Sequence, residues 1–357
     1  MDHIENIHRK LLDKKESIQH SMNLHKGLVS YLWRLPTEIL SQIFHYCLPK
    51  YNHSSALEAP MLLTRVCRRW REVAIDIPSL WCSISIGFGR PLCDVEESQI
   101  SRHDVWFKRS RGCPLSLSFT CKANDVAKLR SLLQPYSNKT SSLSITFLED
   151  VTEPILWLGD LPALQELTMK LRGIPTPGLY QSLSQLPATL RSLEVMAWFL
   201  NTAQISIGPA GLHLTHLDIA VLQYQNEVIH LLKLCPNLSS VKICGIFKTS
   251  LTPESFTHTK IQTFHVLTLF SHFGLLNALS LPNLRVFEHY HPDSVRYPDE
   301  ELMAFLARSR CPLERLIFSG SKKPTMTDIV RAAYIDIIPS VGILLLEAQS
   351  TLQHYAL

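Results

Sequence analysis

The chain has 357 residues, 46% of them hydrophobic and 18% charged, with a net charge of +4. That is room for two domains at about 100–200 residues each, and it is charge-poor beside the roughly 25% of ordinary globular proteins, as suits an elongated fold with a repeating apolar interior. The small positive charge does not by itself point to nucleic acid, residues 1–20 carry no apolar signal core, and no apolar run reaches the roughly 18 residues of a membrane span. A cytoplasmic or nuclear protein is expected. The nine cysteines are scattered, with no C-x-x-C pair, and are expected to be reduced, buried thiols.

Residues 1–34 form the first expected segment. Within it residues 2–30 read as one amphipathic helix, with Ile4, Ile7, Leu11, Ile18 and Met22 on one face. Lys14 stands where the next apolar residue of a coiled coil belongs. Two readings stay open: a helix that dimerises, or a solvated lead-in resting on the next domain.

Residues 35–82 read as a compact bundle of about three helices. Pro36 suits a helix start, where its missing N–H is not needed. Thr37, Glu38, Ile39, Leu40, Ile43, Phe44 and Cys47 follow as a short amphipathic helix closed by Pro49, and residues 50–60 are loop-like. A second helix is expected over 61–75, with Leu62, Leu63, Val66, Cys67 and Trp70 at helical spacing, and Ile77-Pro78-Ser79-Leu80-Trp81 adds a last helical turn. Arg65, Arg68, Arg69 and Arg71 are read as the solvated flank of that helix rather than a nucleic-acid surface.

From about residue 110 short alternating segments recur, often after Leu-Pro or Cys-Pro. An apolar-x-x-apolar-x-apolar pattern begins at Leu164, Leu190, Leu214, Leu238, Ile261, Leu284, Leu313 and Val341, at steps of 26, 24, 24, 23, 23, 29 and 28 residues. Thr140, with Leu143 and Ile145, adds a degenerate copy, and Cys113-Pro114-Leu115-Ser116-Leu117-Ser118-Phe119 reads as an opening strand. Alternation on each strand turns one side inward, and the next copy stacks on it. Helical segments such as 226–232 and 299–306 supply the returns. The other reading of these residues is an ordinary α/β domain with parallel strands.

Two resemblances follow from these motifs. The stretch Leu35, Pro36, Glu38, Ile39, Leu40, Ile43, Phe44, then Val66, Cys67, Arg68, Trp70, then Leu80 and Trp81, resembles an F-box. Its inter-helix loop, Lys50 to Pro60, is longer than the standard turn. The repeats over 83–357 resemble a leucine-rich-repeat solenoid. They depart from it where the consensus Asn or Cys is expected, since Arg172, Trp198, Leu222 and Ile246 stand there. The fold implied is α+β: a small helical F-box bundle followed by an α/β leucine-rich-repeat-like horseshoe.

By resemblance the chain is a substrate-recognition adaptor of a Skp–cullin–F-box ubiquitin ligase, or else an interaction protein that binds a Skp-type adaptor outside any ligase. Adaptor binding falls to Leu35, Pro36, Glu38, Ile39, Leu40, Ile43, Phe44, Val66, Cys67, Trp70 and Trp81. A target protein is expected on the outward strand positions, among them Glu194, His216, Asp218, Lys242, Arg285 and Arg315, whose mixed polarity suits a protein rather than a lipid or polyanion. No cofactor, metal or enzymatic activity is expected: there is no phosphate-binding G-x-x-x-x-G-K-[ST], H-E-x-x-H or G-x-S-x-G. The histidine pairs His213/His216 and His289/His291 read as surface or packing residues.

Overall fold

A computed structural model describes residues 2–29, 34–49, 57–87, 105–122, 125–151, 154–197, 200, 204–222, 224–245, 254–268, 274–290, 300–320, 326–339 and 341–347. The chain divides into two compact units, Met1–Trp81 with Trp106–Arg111, and Cys82–Val105 with Gly112–Leu357.

The first unit is helical. Helix α1 runs over Asp2–Val29. Every side chain described in it, residues 5–23, is exposed, Ile7, Leu11, Ile18 and Met22 included. Over those residues the helix is solvated, and no side chain of it is buried on the following bundle. Helix α2, Thr37–Tyr46, starts after Pro36, carries Glu38 in its first turn where the helix dipole favours an anion, and buries Leu40 and Phe44. The single helix expected over 61–75 is in fact two, α3 (Leu63–Val66) and α4 (Arg68–Asp76). The break is Cys67, extended at φ −157° and ψ 171°, whose Sγ accepts the Trp70 N–H at 3.4 Å as the cap of α4. A 3-10 turn, Pro78–Trp81, and a short helix α5 over residues 105–109 complete the unit.

The second unit alternates strands and helical returns: β1 (Ser83–Gly87), β2 (Leu115–Cys121), α6 (Val126–Leu133), β3 (Thr140–Phe147), β4 (Glu166–Leu171), α7 (Pro177–Ser184), β5 (Ser192–Met196), β6 (His216–Leu222), α8 (Gln225–Leu234), β7 (Ser240–Gly245), β8 (Phe256–Thr257), β9 (Thr263–Thr268), α9 (Gly274–Ala278), β10 (Leu279–Ser280), β11 (Val286–Tyr290), α10 (Glu300–Ser309), β12 (Arg315–Gly320), α11 (Asp328–Ile337) and β13 (Gly342–Glu347). Among the described residues eleven of these strands form one parallel sheet, in chain order, while β8 and β10 pair separately. Consecutive order makes each strand pair with the copies before and after it, so stability is built from nearest-neighbour stacking.

The register shows what the repeat does. Ile84, Leu117, Leu143, Leu167, Leu193, Leu217, Val241, Phe264, Phe287, Leu316 and Ile343 form one row across the sheet. A parallel row two residues on ends in Val266, His289, Phe318 and Leu345. All but the last-strand members of these rows are buried. The copies starting at Leu164 through Leu313 thus sit in the expected phase. The one starting at Val341 does not: Ile343, not Leu344, pairs with Leu316, and Leu344 and Leu346 are exposed. His289 is a buried core-row histidine, in line with a packing role, whereas His291, Trp198 and Ile246 lie outside the described residues. Register shifts at Leu115/Ser116 and Ala220/Leu222 mark irregular pairing at two strand junctions.

Close backbone approach fixes one turn. Gly208 has φ +53°, and a Cβ there would collide with the Ser184 carbonyl oxygen. Gly208→Ala is expected to cost about 2–3 kcal/mol from the left-handed backbone and the clash together. Thermal unfolding at no lower a midpoint than wild type would contradict it.

Candidate functional site

The residues expected to be functional fall on two surfaces, one in each unit. In the helical unit the core is aromatic. Phe44 lies against Trp70 with ring centroids 5.0 Å apart, and Trp81 meets Trp106 edge-on at 5.1 Å. The Trp81 indole N–H donates to the Ala74 carbonyl at 2.8 Å, and the Arg109 guanidinium lies 4.4 Å from the Trp81 ring centroid. Burial holds the Arg109 group below its ordinary value. Arginines tie the helices to backbone carbonyls: Arg71 Nε donates to Thr64 O at 2.8 Å and Arg69 donates to Leu35 O. The arginine run is thus part structural brace, with only Arg65, Arg68 and Arg71 among its members exposed.

The expected adaptor-binding residues separate by burial. Pro36, Glu38, Ile39 and Val66 are exposed, while Leu35, Ile43, Cys67 and Trp70 are half-buried. Leu40, Phe44 and Trp81 are fully buried and have no surface to offer a partner, so their part is to hold the unit together. Ile39 at 40% and Val66 at 55% exposure are large apolar groups left in water. Trp106 and Phe107 were not read from the sequence as part of this unit, yet both are buried. Their signal was an adjacent aromatic pair beyond the Leu80-Trp81 ending.

On the sheet the outward residues form rows as ordered as the core. Ser85, Ser118, Ser144, Thr168, Glu194, Asp218, Lys242, His265, Glu288, Ile317 and Leu344 lie side by side. The row is hydroxylic over the first strands, charged from β5 to β11, and apolar at the end. Its charged middle is knitted together. Thr168 Oγ1 donates to Glu194 at 3.1 Å, Lys242 Nζ to Asp218 Oδ2 at 3.0 Å, His265 Nδ1 to Glu288 Oε2 at 2.7 Å and Ser319 Oγ to Glu288 Oε1 at 3.1 Å. Lys170 stands 3.9 Å from Glu194. Of the expected target-binding residues, Glu194, Asp218 and Lys242 belong to this row. Arg285 pairs with Glu314 at 2.7 Å, His216 is exposed beside Thr215, and Arg315 is exposed. His265 and Glu288 were missed, although they fall at the same repeat position as Glu194, Asp218 and Lys242.

The row's electrostatics differ along its length. Burial raises the Asp218 carboxyl above the usual carboxylate range, against the Lys242 ammonium and with help from Glu194, and its Oδ1 is buried without a hydrogen-bond partner. Glu288 goes the other way: the His265 hydrogen bond holds it below that range, burial opposes, and Ser319 and Lys242 assist. A carboxylate lowered by folding stabilises the fold above its unfolded value and loses that contribution as pH falls through its folded value. Glu288→Gln is therefore expected to be less stable than wild type at neutral pH, with the gap closing in acid. Urea unfolding at the two pH values would test this, and a gap independent of pH would refute the pairing.

Among the described residues no group of three or more His, Cys, Asp or Glu is placed to hold a metal, and no helix is long and apolar enough to cross a membrane. A family model described as F-box-like matches residues 32–87, spanning α2 to β1. No curated protein matches the chain. The chain therefore carries an F-box-like domain, and such domains bind Skp-type adaptors in cullin ubiquitin ligases. The match takes in the helical unit from α2 to Trp81 and runs on into β1 of the second unit.

Proposed function

We propose that the protein is the substrate-recognition subunit of a Skp–cullin–F-box ubiquitin ligase. The observation that carries the reading is the pairing, in one chain, of an F-box-like domain with a repeat-built sheet whose outward row is charged. The helical unit docks the Skp-type adaptor through Pro36, Ile39, Val66 and the half-buried residues beside them. The repeats over 83–357 act as a leucine-rich-repeat-like solenoid, and the strand order and aligned apolar rows support that reading. Its outward face holds a target protein, with Glu194, Asp218, Lys242, Arg285 and Arg315 among the contacts. The mixture of acid and base along this face suits a protein surface of mixed charge, with specificity set by which opposing charges are matched. The chain contributes proximity, and bond-making belongs to the ubiquitin-conjugating partner.

Co-expression with a Skp-type adaptor and a cullin tests this. The full chain is expected to purify with both. Adaptor without cullin would favour an interaction protein outside any ligase. For the target face, Glu194→Ala, Lys242→Ala and Arg315→Ala together are expected to reduce capture of a cross-linked target by about tenfold or more while adaptor binding stays unchanged. Equal capture would remove the target site from this face.

A further inference from the structure

Two cysteines stand apart from the rest. Cys82 immediately precedes β1, and its carbonyl accepts the Ser116 N–H at 2.8 Å, extending the β1–β2 pairing back to it. Cys113 leads into β2 out of a left-handed turn, Arg111 at φ 47° and Gly112 at φ 93°. The Leu115 N–H then bonds Lys139 O at 2.7 Å and fixes where β2 begins. These two constraints bring the Cys82 and Cys113 side chains into a mutual hydrogen bond. Neither residue is in a disulfide, and both are half-buried. By contrast Cys121, Cys235, Cys244 and Cys311 are buried, and for none of these four does another cysteine figure among the groups acting on its thiol.

We propose that Cys82 and Cys113 are a redox-sensitive dithiol that closes to a disulfide when the protein meets a small hydroperoxide. Burial and the Cys113 sulfur push the Cys82 thiol up to about 12, which disfavours Cys82 as the attacking sulfur, and we assign the first attack to Cys113. The Cys113 thiolate attacks one peroxide oxygen, the O–O bond breaks, and a sulfenic acid and hydroxide form, the hydroxide taking up a solvent proton. The Cys82 sulfur then attacks the Cys113 sulfur. The S–S bond forms, the S–O bond breaks, and the Cys82 proton leaves with the hydroxyl as water. In sum two thiols are oxidised and one hydroperoxide is reduced. An ambient dithiol or glutathione reverses the step by exchange.

The position gives the bond a consequence. Cys82 is the first residue of the sheet unit, and Cys113 the second after the chain returns to it at Gly112. The disulfide closes a loop that contains Trp106–Arg111, which belongs to the helical unit. Oxidation would therefore restrict the chain at both of the points where it passes from the helical unit into the sheet unit.

The test uses the purified full chain, treated with hydrogen peroxide, blocked with iodoacetamide and digested without reductant. Mass spectrometry is expected to find a Cys82–Cys113 linked peptide, two alkylatable thiols lost, and both recovered after dithiothreitol. In Cys82→Ser the link is absent and Cys113 is trapped by dimedone as its sulfenic acid. Either thiol surviving peroxide unlinked overturns the proposal, as does a bond from either one to Cys93 in preference. Dimedone capture at Cys82 in Cys113→Ser, with none at Cys113 in Cys82→Ser, overturns the order of attack.

Discussion

Ile39→Asp with Val66→Asp is expected to weaken binding of a Skp-type adaptor by at least about 100-fold, a loss of roughly 3 kcal/mol, while the helical unit stays folded. Both side chains are large, apolar and exposed, so replacing them removes little from the core. In a complex they would be desolvated, and a carboxylate put in their place would be buried unpaired. The contrast is Leu40→Ala. Leu40 is fully buried, so its truncation costs about 2–5 kcal/mol of stability and weakens binding only by depopulating the fold. Titration calorimetry alongside thermal unfolding separates the two. The Asp pair should change affinity at constant melting midpoint, and Leu40→Ala should move the midpoint. Undiminished affinity in the Asp pair would place the adaptor on another face of the unit.

The repeat was legible because its period and its parity agree. From Leu164 to Ile261 each pattern start leads a segment whose pattern apolar residues are separated by polar ones, so only one phase buries them all. At β13 that information vanishes: Ile343, Leu344, Leu345 and Leu346 are all apolar, either parity fits, and the pairing with β12 decides. The helix expected over 61–75 failed for a related reason. Helical spacing of Leu62, Leu63, Val66 and Trp70 survives across the break, since one extended residue at Cys67 leaves the flanking turns intact. The charged row was half legible. Its members could be picked singly as outward residues, but the ion pairs join residues about one repeat apart, as Lys242 and Asp218 do. Reading down the repeat rather than along the chain would have added His265 and Glu288. The Cys82–Cys113 contact had no signal of this kind, because it depends on a left-handed turn at Arg111 and Gly112.

Trp81→Ala is expected to unfold the helical unit and abolish adaptor binding with it, although Trp81 has no exposed surface. The side chain is fully buried. Truncating a buried aromatic of this size costs about 3–5 kcal/mol. Here the loss also takes the indole donor from Ala74 O, the edge contact with Trp106 and the Arg109 guanidinium's aromatic platform. The Ala74 carbonyl is left buried without that bond, worth about 1 kcal/mol more. A small bundle with a limited core has little more than that to lose. The sheet unit, stabilised by its own stacked rows, should persist. Hydrogen exchange read peptide by peptide is the measurement. Protection is expected to vanish over 37–81 and 106–111 and remain over the strands from β2 onward. If protection held throughout and adaptor affinity alone fell, Trp81 would be a contact residue after all, and its burial in the free chain would have to open on binding.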